Sequence, residues 1–254
     1  MHAQRPGSVM PPAADGPAVA QHQRRVTSFR SRRSALTEAQ QEVWERLWPT
    51  LGRSAVTDPA EPLDVAAWFG RSDAALVCEI GCGTGTSTTA MAKAEPDVDV
   101  IAVEVYRRGL AQLLSAIDRE SVPNIRLIRG DGVDVLEQLI APSTLTAVRV
   151  FFPDPWPKSR HHKRRLLQPT TIALIADRLR PGGVLHVATD HAGYAEQIAT
   201  AGDADPRLRR WLPEPAAPPA GPELPVSVRR PPTKYETRAH QLGNAVAELI
   251  WTRV

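Results

Sequence analysis

Glu79 stands directly ahead of a loop with glycine at every second position, Glu79-Ile80-Gly81-Cys82-Gly83-Thr84-Gly85-Thr86. A strand that turns into a helix through glycines brings backbone N–H groups close to a ligand. The spacing departs from the dinucleotide fingerprint, which asks for a third glycine or an alanine where this chain has Thr86. A carboxylate at position 79 repels a pyrophosphate and suits a cationic or amine-bearing ligand. S-adenosylmethionine (AdoMet) has an amino-acid end, a sulfonium and no phosphate, so Glu79, Gly81, Gly83 and Gly85 read as the start of an AdoMet site. Two further acids recur in the right order. Glu104 follows the glycines by about twenty residues, where an acid accepts hydrogen bonds from both ribose hydroxyls. Asp131, between Gly130 and Gly132, suits the adenine amino group.

A fourth acid sits in Phe152-Pro153-Asp154-Pro155-Trp156-Pro157-Lys158. Three alternating prolines fix their own φ and push the residues before them toward extended geometry. A stiff loop of this kind holds one carboxylate, Asp154, in a defined place above a cofactor. Lys158-Ser159-Arg160-His161-His162-Lys163-Arg164-Arg165 comes next, with five Lys or Arg in eight positions. A charge run is ordinarily a solvated helix start, but this one begins four residues from Asp154 and suits the phosphates of a nucleic acid. His161 and His162 have no acid or Cys at ligand spacing, so no metal is expected.

The elements that position these residues alternate. Ala75–Ile80, Val98–Val105, Ile125–Ile128, Leu145–Phe152 and Val184–Ala188 read as strands. Ser87–Lys93, Gly109–Glu120, Val133–Leu139, Leu166–Leu179 and a segment from Tyr194 read as helices, the second with Leu110, Leu113, Leu114 and Ile117 on one face. Such alternation predicts βαβ units, a parallel sheet and helices on both faces. Glu79, Glu104 and Asp131 then lie at the carboxyl ends of three strands, where such sheets bind ligands. Ahead of the sheet, Thr37–Trp48 reads as a helix with a Thr37/Gln40 capping box and a stop at Pro49. Leu63–Phe69 is a shorter one ended by Gly70. Asp203 to Pro232 reads as a Pro-rich loop or insert, Thr233 and Glu236 as a capping box, and Ala245–Arg253 as a last strand.

With 254 residues, 31 Lys+Arg, 28 Asp+Glu and a net charge of +3, the chain suits one domain with tails. Residues 1–26, rich in Pro, Ala and Gly, are expected to be a disordered extension, and 27–254 one domain. Residues 24–36 form a basic arm carrying Arg24, Arg25, Arg30, Arg32 and Arg33, either a solvated tail or a phosphate-neutralising one. Cys78 and Cys82 make neither a disulfide framework nor a zinc site, which fits a reducing cytoplasm. No run approaches the ~20 apolar residues of a membrane span. Monomer and homodimer fit the sequence equally.

Taken together, Glu79–Gly85, Phe152–Lys158 with the basic run after it, Pro181-Gly182-Gly183, Thr189-Asp190 and Thr233-Lys234-Tyr235-Glu236 resemble the bacterial tRNA (guanine-N7)-methyltransferases, the TrmB family. The likeness covers about residues 25 to 254. It implies a class I AdoMet-dependent methyltransferase fold: a Rossmann-like, mostly parallel seven-stranded sheet whose last strand is antiparallel. It implies that Glu79, Glu104 and Asp131 contact AdoMet and that Asp154, bordering the cofactor, is the active-site acid. Lys158, Asp190, Thr233, Lys234, Tyr235 and Glu236 would contact the substrate guanosine. Arg160, His161, His162, Lys163, Arg164 and Arg165 would meet the RNA. The implied target is the variable-loop guanine at tRNA position 46. The long extension before Arg24 and the Pro/Ala stretch near Pro213–Pro225 depart from the family's pattern. Two other readings use the same residues. One is an AdoMet enzyme that methylates an adenine or cytosine amino group, against which Trp156 and the TKYE segment speak. The other is a non-enzymatic RNA-binding protein, against which the intact set of strand-end acids speaks.

Overall fold

The computed structural model describes residues 35–55, 61–212, 224–232, 236, 237, 241, 243 and 245–254. The extension 1–26, the arginines of the basic arm, most of Pro213–Pro225 and Thr233, Lys234 and Tyr235 lie outside the described residues.

One eight-stranded sheet organises them, in the order β1-β4-β3-β2-β5-β6-β8-β7. Its strands are β1 (Gly52–Ser54), β2 (Ala75–Ile80), β3 (Val98–Glu104), β4 (Ile125–Arg129), β5 (Leu145–Phe151), β6 (Leu179–Thr189), β7 (Leu208–Trp211) and β8 (Ala247–Arg253). β1 to β6 run parallel. β8 is antiparallel to both β6 and β7. The expected seven strands are therefore present with one more at the edge, the three-residue β1. The chain winds outward through β2, β3 and β4 and then returns with β5 beside β2. That reversal opens a crevice at the carboxyl ends of β2 and β5, the place where doubly wound sheets bind ligands.

All seven residues of β3 are buried, as expected for a strand covered on both faces. Alternate residues divide between two cores. Cys78, Ile101, Val103, Val148, Val150, Leu185 and Val187 face one core with α5 (Gly132–Gln138), α6 (Pro169–Arg178) and α7 (Ala192–Ala204). Val77, Val100, Ala102, Ala147 and Val184 face the other, closed by Leu110, Leu113, Leu114 and Ile117 of α4 (Arg107–Glu120) and Trp44 of α1 (Glu38–Leu51). α3 (Thr86–Ala94) adds Met91 and Ala92 to the buried set, and α2 (Val65–Phe69) is a single turn or so closed by left-handed Gly70.

Four expectations shift. The Thr37/Gln40 capping box is in place, but Pro49 does not stop α1; it sits in the last turn and the helix runs on to Leu51. α6 begins at Pro169 rather than Leu166, because proline suits the first helical turn. Leu166 and Leu167 belong to the link before it, and the Leu167 N–H donates to the Tyr194 hydroxyl at 2.9 Å. β6 begins at Leu179, carrying Arg180–Gly183 in an irregular stretch with a register shift against β5 before it settles at Val184. The stretch after Asp203 is not all loop: β7 forms there, and Val226 is 6% exposed against the Val184 side of the sheet.

Candidate active site

The glycine loop leaves β2 and enters α3 with Gly81, Gly83 and Gly85 at φ 80°, 58° and 78°. Those values lie in the left-handed region that favours glycine. A Cβ at Gly81 or Gly83 would meet nothing within 4 Å, so the loop's outer side is open. A Cβ on Gly109 of α4 would run into the Gly83 carbonyl oxygen, so α4 backs the loop at backbone contact. Glu104 closes the other side: its Oε2 accepts from Gly83 N–H at 2.9 Å, and its Oε1 from Val105 and Tyr106 N–H at 2.7 and 3.0 Å. Asp131 accepts from the Val133 N–H at 2.9 Å and caps α5. Glu79 is 3% exposed, and its Oε2 has no hydrogen-bond partner among the described residues. Burial pushes its carboxyl up to about 7, with the Arg149 guanidinium and then the Thr88 hydroxyl pulling the other way. A buried carboxylate oxygen without a donor, beside an open glycine loop, fits the amine of AdoMet. Burial also raises Glu104, with its three backbone donors opposing and the charge of Asp154 adding to the rise.

Asp154 follows β5 by three residues and is exposed. Its charge raises both Glu104 and Tyr194 of α7 slightly, behind the larger effect of burial. The three prolines are in place, but the residues before them are not all extended. Phe152 and Trp156, each preceding a proline, sit at φ 51° and 43°, left-handed rather than extended. Such positions cost on the order of 1–3 kcal/mol each and persist only when packing imposes them. Trp156 is 8% exposed and stacks on His161, centroids 5.8 Å apart and planes 3° from parallel, with the Arg164 guanidinium 4.9 Å from the indole centroid. Phe152 continues the ladder by donating to Ala188 O at 2.8 Å.

The basic run is a 3₁₀ turn over Ser159–Arg164, not the opening of α6. Lys158, Arg160 and Lys163 are exposed, and His161, His162 and Arg164 are half-buried. Arg165 differs from its neighbours: it is 3% exposed and its Nε donates to Pro155 O at 2.8 Å. Arg165 is thus turned inward, unlike the exposed cations of the run. Asp190 follows β6 beside the start of α7 and is half-buried. Glu236 receives both ends of the Arg230 guanidinium, at 2.6 and 3.1 Å. Arg230 in turn lies 3.2 Å from Glu248 of β8 and 5.2 Å from the Phe152 ring centroid, which brings Glu236 to the Asp154 loop.

Residues 73–249 match the family described as "Putative methyltransferase". A tRNA (guanine-N(7)-)-methyltransferase of Mycobacterium sp. strain KMS is 67% identical over 244 residues, covering 94% of this chain and 85% of that protein. One of Mycolicibacterium vanbaalenii is 63% identical over 266 residues, covering 100% and 97%. The chain belongs to the tRNA (guanine-N7)-methyltransferase family. Among solved structures it is similar to an rRNA methylase from Streptococcus thermophilus, at 16% identity and TM-score 0.47, over 72% of this chain and 89% of that one. The methyl donor of this methyltransferase is AdoMet.

The methyltransferase also buries ionisable residues near the site that the motifs do not mark. Arg149, fully buried on β5, pairs with Glu95 at 2.8 Å, and its Nη2 also donates to Ser227 O at 3.1 Å. Its strand neighbours in register are Glu79 and His186. His186 lies 2.6 Å from Glu248, and its pKa is lowered chiefly by burial, with Glu248 opposing. The signal for both was in the sequence: a charged or titratable side chain inside an apolar strand, at Arg149 in Leu145–Phe151 and at His186 in Val184–Thr189. Nothing local marks Arg230 as the partner of Glu236.

Proposed function

We propose that the protein transfers a methyl group from AdoMet to N7 of the guanine at variable-loop position 46 of tRNA, with residues 27–254 acting as one methyltransferase domain in the cytoplasm. The observation that carries this reading is the place of Asp154. It follows β5, which pairs with β2 at the switch point of the sheet, and it precedes an exposed cationic turn in the chain.

Bound AdoMet supplies the electrophilic methyl group. Glu79 accepts hydrogen bonds from its amine, Glu104 from its ribose hydroxyls and Asp131 from its adenine amino group. The backbone of Gly81, Gly83 and Gly85 lets the ligand approach closely. Guanine N7 presents an in-plane lone pair and carries no proton, so attack needs neither a general base nor a metal. The protein's work is to hold the ring in line. The Asp154 carboxylate accepts from the N1–H and N2–H edge and stabilises the positive charge that grows on the ring. Lys158, Asp190, Glu236 and the Thr233–Tyr235 segment complete the guanosine pocket. Arg160, His161, His162, Lys163 and Arg164 hold the phosphates, with His161 and Arg164 braced on Trp156.

Asp154→Ala tests this. It should keep AdoMet affinity within about twofold and lower kcat on unmodified tRNA by on the order of a hundredfold or more, as removal of an electrostatic stabiliser does. Turnover equal to wild type would sink the assignment.

A further inference from the structure

Arg165 closes a run of cations, yet it behaves unlike the rest of the run. Its guanidinium makes no ion pair among the described residues. Its Nε donates to Pro155 O at 2.8 Å, and its Nη1 donates to Gln197 Oε1 at 2.7 Å and to Gly193 O at 3.3 Å. The guanidinium carbon lies 4.7 Å from the centroid of the Tyr194 ring. Arginine stays charged in proteins, so a buried guanidinium is costly unless its donors are satisfied by well-placed acceptors. The planar fork fixes the relative positions of the groups it reaches.

Those groups belong to two walls. Pro155 is the residue after Asp154, and its carbonyl lies in the strained loop between Phe152 and Trp156. Gly193, Tyr194 and Gln197 lie on α7, whose first turn follows Asp190 directly. Gln197 is placed in turn by Leu167 O at 3.4 Å and Gln168 Oε1 at 3.4 Å.

We propose that Arg165 is a positioning residue, a strut that sets the distance between the Asp154 loop and the Asp190 end of α7 and so fixes the width of the guanine pocket. This rests on the role of Asp154 above. The cation acts on the base through the two walls and does not touch RNA phosphate.

Arg165→Gln and Lys163→Gln, measured together, separate the two roles. A phosphate contact shows as a loss of about one unit in the log–log salt slope of tRNA binding, as expected for the exposed Lys163. Arg165→Gln should leave that slope and AdoMet affinity unchanged and lower kcat at saturating tRNA by on the order of ten- to a hundredfold, the cost of a misplaced reacting group. Arg165→Lys should not restore kcat, because an ammonium cannot span both walls. Added to Asp154→Ala, Arg165→Gln should cost little further turnover, since both act on one contact. A reduced slope with unchanged kcat would overturn the proposal, as would full additivity with Asp154→Ala. If Arg165→Gln does not fold, Gln197→Leu removes one anchor and keeps the cation. It should lower kcat severalfold at an unchanged slope, and an unaltered kcat overturns the strut. Asp154→Ala with wild-type turnover overturns both readings; loss there with normal kcat in Arg165→Gln overturns the strut alone.

Discussion

Burial raises the Glu79 carboxyl to about 7, and the sign of that shift makes it testable. A carboxyl raised in the folded state binds its proton more tightly folded than unfolded. The ligand-free protein therefore loses stability as pH rises from the usual carboxylate range through about 7. The AdoMet amine, protonated throughout that window, favours ionised Glu79. AdoMet affinity should rise about tenfold per unit between roughly pH 5.5 and 7 and then level off. Calorimetry in two buffers should show proton release on binding at the acid end. Glu79→Gln should bind more weakly and with a flat profile; a flat wild-type profile would contradict the assignment. At the residue scale the placement of Glu79, Glu104 and Asp131 was legible beforehand, since acids at successive strand ends stand out in the chain. Arg165 was not. Composition treats it like Arg164, and only the fold decides which of two adjacent arginines turns inward.

At the scale of elements, α4 backs the glycine loop at backbone contact. Gly109→Ala places a methyl against the Gly83 carbonyl, and overpacking of that kind costs about 1–3 kcal/mol. AdoMet binding should weaken about tenfold or more, and an unchanged Kd would show that α4 does not shape the loop. The segment from Leu224 to Arg230 takes the place of a helix over β5 and β6, tied down where Glu95 accepts from Ser227 N–H at 2.7 Å and pairs with Arg149. Glu95→Ala leaves a buried guanidinium without its counter-ion, which costs about 3–5 kcal/mol. Thermal melts should show a drop of about 6–20 °C on the usual scale for a chain of this size. A melt like wild type would mean that the pair adds nothing. The parallel strands were readable because they are long apolar runs at regular spacing. β1 and β7 were not: three and four residues carry no period, and β7 exists through its pairing with β8, some forty residues on. The prolines of the Asp154 loop suggested extended residues before them, and two of those residues are not extended. The left-handed Phe152 and Trp156 were out of reach, because nothing local marks the contacts that Phe152 makes with Arg230 and Trp156 with His161 and Arg164.

For the whole molecule, Glu79, Glu104 and Asp131 come at or near the carboxyl ends of three parallel strands, and Asp154 and an exposed cationic turn follow the carboxyl end of a fourth. With Arg160, Lys163 and Arg164 as the phosphate contacts, tRNA affinity should fall with a log–log slope of about −2.5. That is on the order of a thirtyfold loss between 50 and 200 mM salt. A flat titration would argue against the patch. The central claim is the chemistry itself, and one assay addresses it. Incubate the protein with labelled AdoMet and unmodified tRNA transcripts, digest, and identify the methylated nucleoside by mass spectrometry. The account predicts 7-methylguanosine that disappears when the guanine at position 46 is replaced. A methylated adenosine or cytidine, or no methylated nucleoside despite measurable AdoMet binding, would contradict it.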